Sequence, residues 1–376
     1  MNAMQSIKQA EKQSTSRSSN LELLRIIAML MIIAYHFSVH GGFEFSPDTI
    51  TVNRLWTQFI EMGGKIGVNV FVLISGYFLV SAEAGKTGKI IRLWLQIFTY
   101  SILIFILFTG SGVEPFGIRE LVNHCFPVLF SQWWFASTYF VLYLLSPYIN
   151  KLLHALNKKT YQRFLVLLTV CWCIIPTLTL QEFQGNDLLW FIYLYALAGY
   201  IKLHRSKDGM KGSTCFFLVL VTVALTFLSV VIFDVAGTRM PFFGSHATSL
   251  YGMNRPPALI ISILLLAGFS GINIGCRRMI NVTASATFGV YLIHDNTYVR
   301  HLLWKTIFSN ASYAENNLLI PYSLWAVAVV FVTCTVVELA RICLLEKHYM
   351  GFVSGLAGSV DKYKEKLFSL SLFDKF

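Results

Sequence analysis

Charge is scarce in this chain: Asp, Glu, Lys and Arg make up 13% of its 376 residues, about half the roughly 25% of soluble domains. An ordinary water-soluble enzyme is thereby excluded. Acidic groups are the scarcer sign, 19 against 30 basic, which leaves a net charge of +11. Cysteine is sparse as well. The seven (125, 171, 173, 215, 276, 334, 343) form an odd set with no CxxC spacing, so neither a zinc site nor a disulfide framework is expected, and they read as small hydrophobes. No small-x-small cleavage site follows the first apolar run, which contains Arg25 and His36, so that run is expected to be a retained span rather than a signal peptide. No internal repeat is visible, which counts against an inverted-repeat transporter.

Apolar surface is what the chain has in excess. Apolar residues make up 55% of it, with 31 Phe, 17 Tyr and 8 Trp, and the mean hydropathy is +0.60. A single globular core cannot hide that much, and the natural solvent is a bilayer. A spanning helix needs about 20 mainly apolar residues. Ten runs qualify, approximately 21–40, 66–82, 90–109, 133–149, 164–180, 188–202, 215–234, 257–275, 285–303 and 319–340. They are too long and too uniformly apolar for barrel strands. The predicted fold is all-α and polytopic, with about ten transmembrane helices around a polar cavity. Residues 1–20 and 342–376 are expected to be cytoplasmic tails on a membrane domain over 21–341.

The basic excess is explained by topology rather than by nucleic acid. With the N-terminus inside, 22 of the 30 Lys and Arg fall in inside segments and seven in outside loops, Arg25 lying within the first run. Cytoplasmic loops collect such charge, so a multi-pass protein with both termini cytoplasmic is expected. The long outside segments 41–65, 110–132 and 235–256 read equally as free loops or as caps over a cavity.

Ionisable groups inside spans cost about 2.5 to 3.5 kcal/mol for Arg on insertion scales and are functional candidates by default. Arg25 and His36 are 11 residues apart, which returns a helix to within about 20° of the same face, about 16 Å further along. Arg25 is compatible with snorkelling to headgroups or with anion binding. His36 is compatible with an interhelical hydrogen bond or with general-base chemistry. Lys89 and Arg92, three apart in GKIIRLW, project from one face at a cytoplasmic mouth, either as topology charges or as a phosphate grip. In YLIHDN, His294, Asp295 and Asn296 place three polar residues in mid-span, as a structural knot or a site. Trp133 and Trp134 offer aromatic faces to a sugar or to the membrane interface.

Together, the Arg25 and His36 pair, GVNVFVLISGYFL from Gly67, the basic KIIR, WWFASTYFVLYLLSPYI from Trp133 and the late YLIHDN resemble the acyltransferase 3 family of integral membrane O-acyltransferases, over about residues 20 to 340. Two positions depart from the family pattern. Lys89 stands where the family usually has Arg, keeping charge but losing the planar fork, and Asn69 is more polar than expected. The resemblance implies transfer of an acyl group, typically acetyl from acetyl-CoA, to a hydroxyl of a cell-envelope polysaccharide or lipid-linked sugar at a bacterial inner membrane. His36, His294 and Asp295 would then be catalytic, Arg25, Lys89 and Arg92 would bind the donor, and Asn296, Trp133 and Trp134 would meet the acceptor. No metal and no nucleic acid are expected, and the oligomeric state stays open. A glycan transporter or flippase using the same intramembrane groups is the alternative.

Overall fold

The computed structural model describes residues 19–46, 48–82, 87–204 and 209–369, so the tail expected over residues 1–20 lies almost wholly outside the described residues. These are helical, with no strand among them. Seven helical stretches are long and apolar enough to cross a membrane: Ser19–Val39 (α1), Val52–Leu79 (α2), Thr87–Gly110 (α3), Lys158–Thr179 (α6), Gly212–Gly237 (α8), Pro241–Gly271, whose main helix is Pro256–Gly271 (α9), and Leu319–Glu346, mostly Leu319–Arg341 (α12). The runs expected at 133–149, 188–202 and 285–303 fall on Trp134–Ala155 (α5), Asp187–His204 (α7) and Arg278–His294 (α10). Ile118–Cys125 (α4), Thr297–His301 (α11) and Lys347–Ser369 (α13) are further α-helices.

The described residues divide into two compact units. One takes the chain up to Val80 and Leu156–Thr335; the other takes Ser81–Ala155 and the chain from Val336 on. In the first, α2 is central and packs against α1, α7 and α9, while α10 covers α1. Helix–helix approach in a bilayer depends on small residues. Gly67 meets α1 so closely that an added Cβ would stand 2.7 Å from the Ala28 carbonyl oxygen, and at Gly76 it would stand 2.9 Å from Tyr195 Cα in α7. Gly76→Leu is therefore expected to force α2 and α7 apart and destabilise the protein by about 1–3 kcal/mol or more. A lowered melting temperature in detergent would register it.

Only Cys215, Thr226, Val230 and Asp234 are buried along α8, whereas Phe217, Leu220, Leu225 and Ile232 are exposed. Such a face calls for an apolar surrounding, as a lipid bilayer provides. Both ends of α1 are tied. The Asn20 side chain donates to the carbonyls of Phe269 (2.6 Å) and Ile272 (3.0 Å) at the end of α9, and Asn310 donates to the Phe37 carbonyl (3.0 Å).

Two expectations are corrected. The segment 41–65 is not all loop: α2 begins at Val52, capped by Thr51, whose hydroxyl accepts from Arg54 N–H. At 28 residues, and thus about 42 Å, α2 exceeds a hydrocarbon core of about 30 Å, and its polar early turns hid it from hydropathy. Nor do His294, Asp295 and Asn296 lie inside a continuous helix. His294 ends α10, Asp295 follows, and Asn296 caps α11 by accepting from Tyr298 N–H (3.0 Å) and Val299 N–H (3.4 Å). An Asn side chain that can satisfy the next turn's amides supplies the alternative that interrupts the helix.

The second unit gathers α3, α4, α5, the end of α12 and α13. Its core holds a buried charge network: Arg341 donates twice to Glu338 (2.8 and 2.9 Å) and once to Glu346 (2.7 Å), while Gln96 and Tyr100 donate to Glu338.

Candidate active site

α1 presents His36 into the first unit, 7% exposed, against the fully buried His294. Their rings approach through His36 Nδ1 and His294 Nε2 at 3.0 Å. The other nitrogen of His294, Nδ1, lies 2.6 Å from the Val290 carbonyl oxygen. A carbonyl only accepts, so Nδ1 of His294 carries the proton and, in the neutral ring, Nε2 carries a lone pair. His36 Nδ1–H must then donate to it. This leaves His36 Nε2 as the basic atom.

Asp295 Oδ1 stands 3.6 Å from that nitrogen. Too far for a strong hydrogen bond in this state, the carboxylate is placed to stabilise an imidazolium once Nε2 takes up a proton. Arg300, from α11, lies 3.4 Å from Asp295 Oδ1 and 3.4 Å from His40 Nε2. The break after His294 is what turns Arg300 back toward Asp295. His40, one helical turn beyond His36, is held down at about 4 by burial first and by Arg300 next, so it is neutral at neutral pH.

His36, His40 and Asp295 present atoms within 4.8 Å of one another, a spacing compatible with metal ligation. Arg300 already supplies the positive charge at that point, which disfavours a cation.

Of the residues singled out from the sequence, His36, His294 and Asp295 are thus brought together. Asn296 is beside them, 2% exposed, with its oxygen engaged as the α11 cap. Arg25, in the same unit, pairs with Glu22 at 2.7 Å. Lys89, Arg92, Trp133 and Trp134 belong to the second unit. There Lys89 is exposed, Arg92 pairs with Glu346, Trp133 is 2% exposed and Trp134 is half-buried. Sequence reasoning missed His40 and Arg300. The i, i+4 spacing of His40 from His36 was a usable signal; the return of Arg300 was not legible without the helix break.

A polytopic helical protein with a tautomer-locked histidine pair next to a carboxylate is the class that this geometry defines. Residues 18–339 match the acyltransferase domain of the acyltransferase 3 family, and the chain belongs to that family. It is also similar to the Peptidoglycan O-acetyltransferase OatA of Listeria monocytogenes serovar 1/2a, 24% identical over 211 residues. That similarity covers 50% of this chain and 31% of the relative, so the chain spans about a third of that protein's length. No solved structure matches the chain.

Proposed function

We propose that the protein is a membrane-embedded O-acyltransferase that moves an acyl group, acetyl by preference, from acyl-CoA to a hydroxyl of a cell-envelope polysaccharide or lipid-linked sugar. The observation that carries this reading is the free lone pair on His36 Nε2, fixed by His294 and faced by Asp295. Family membership and the cell-wall glycan named for the relative support it.

The acceptor hydroxyl gives its proton to His36 Nε2 as its oxygen attacks the thioester carbonyl carbon. Asp295 balances the imidazolium. The C–S bond then breaks, and the departing thiolate takes the proton back from His36, releasing free CoA and the ester. His294 keeps the base in the correct tautomer throughout. The cell-membrane setting with both termini cytoplasmic follows from the charge distribution and is part of the same proposal.

Arg25, Lys89 and Arg92 are assigned to the donor's phosphates, and Asn296, Trp133 and Trp134 to the acceptor. Lys89→Ala and Arg92→Ala are expected to raise the donor KM severalfold with kcat retained. Arg92 is half exposed, so loss of its pair with Glu346 costs little stability. The deciding experiment is labelled acetyl transfer by the purified protein from acetyl-CoA to glycan of the cell envelope. A transporter would incorporate no label.

A further inference from the structure

Three segments of the first unit enclose a cavity that the chemistry at His36 does not use. It has a volume of about 240 Å³ and is lined by Trp172, Glu182, Asn186, Asp187, Trp190 and Asn254 among others. Ligand pockets for drug-sized molecules run to roughly 300–1,000 Å³, so this one has room for a single ring. Two indoles line it, and its polar groups are held in place: Asn254 Nδ2 donates to both Glu182 oxygens (3.2 and 3.0 Å) and Asn186 Oδ1 accepts from Leu189 N–H (3.0 Å), so a ligand meets their remaining lone pairs and N–H groups together with the Asp187 carboxylate. That is the combination a pyranose needs: aromatic faces for its C–H face and fixed polar atoms for its hydroxyls. The carboxylates add a bias, since a sugar acid would meet Glu182 and Asp187 charge to charge.

The cavity is also built from behind. Asn69, fully buried in α2, accepts from Trp190 Nε1–H at 3.0 Å through its Oδ1 and donates to the Met253 carbonyl at 2.7 Å through its Nδ2. One amide therefore fixes a wall of the cavity from each of two segments. This accounts for the polar residue that departs from the family pattern at this place. Trp172 sits in a widened helical turn, Val170–Ile174, a distortion that recurs at functional sites.

We infer that this cavity is a subsite for one uncharged pyranose ring of the acceptor, with Trp172 and Trp190 as its faces and Asn69 as the positioning residue that holds Trp190. The inference rests on the acyltransferase reading for the word acceptor, but binding can be measured without turnover.

Full-length His36→Ala protein in detergent is titrated with methyl β-glucopyranoside, methyl N-acetyl-β-glucosaminide and methyl β-glucuronide, followed by saturation-transfer NMR and intrinsic tryptophan fluorescence. Saturable binding of at least one of the two uncharged sugars, at least tenfold tighter than the glucuronide, is expected. Adding Trp172→Ala should weaken it at least tenfold. Glu182→Gln with Asp187→Asn should bring the glucuronide to within about threefold of the uncharged sugars. Asn69→Leu should weaken binding at least fivefold and Asn69→Gln should restore part of it, which a loss of folding would not do. Absence of saturable binding by either uncharged sugar overturns the inference, as does equal affinity in Trp172→Ala protein that elutes as a single folded species. Sugar binding that responds to these variants, together with no acetyl transfer by the protein that retains His36, would leave the subsite standing and remove the acyltransferase.

Discussion

Acetyl transfer by His36→Ala is expected to fall by about 10²–10⁴-fold, the contribution of a positioned general base, with normal amounts of folded protein in the membrane. The expected size reflects how much of the surroundings is committed to one nitrogen. His294 donates to the Val290 carbonyl and accepts from His36, so the ring's basic face is set before any substrate arrives. His294→Ala should lower the rate through loss of that orientation and affect kcat more than either KM. Transfer assays on protein matched by size-exclusion peak area measure both. Wild-type rates from His36→Ala protein would take the base away from His36.

The second large effect is on stability. Arg54 donates to Asp234 at 2.7 Å, and further to the carbonyls of Ser46 (3.0 Å) and Thr49 (3.2 Å), so one guanidinium ties the start of α2 to the end of α8 and to the chain before α2. Asp234 is fully buried, and its second oxygen has no hydrogen-bond partner. Removing Arg54 leaves an uncompensated carboxylate, which typically costs about 3–5 kcal/mol. Arg54→Ala is expected to lower the melting temperature strongly. The double variant Arg54→Met with Asp234→Leu should recover most of the loss, because replacing both partners by apolar groups is often near neutral. Equal melting of Arg54→Ala and wild type would show that the pair contributes nothing.

His36, His294 and Asp295 were legible in the sequence because an ionisable group in an apolar run is costly enough to stand out singly. Asp234 was equally costly, yet as the last residue of its run it reads as an end charge near the interface; its partner lies 180 positions away. The early turns of α2 were hidden for the opposite reason. Asn53, Arg54, Gln58, Glu61 and Lys65 lower the local hydropathy, while cap and tertiary partners hold the helix. The interruption at Asn296 was invisible to any averaging over twenty residues, since the flanking segments are apolar on both sides. The sugar-sized cavity could not be read at all: Trp172, Trp190 and Asn254 come from separate segments, and only the oddity of Asn69 pointed there.

The fastening of α1 has a kinetic meaning. Asn20 at one end and Asn310 near the other fasten the rod to neighbouring segments of the same unit, which gives the imidazole it carries a defined place among them. Reactants must travel to that ring from wherever they enter. In the proposed reaction, acyl group and acceptor are brought to that ring rather than the ring to them.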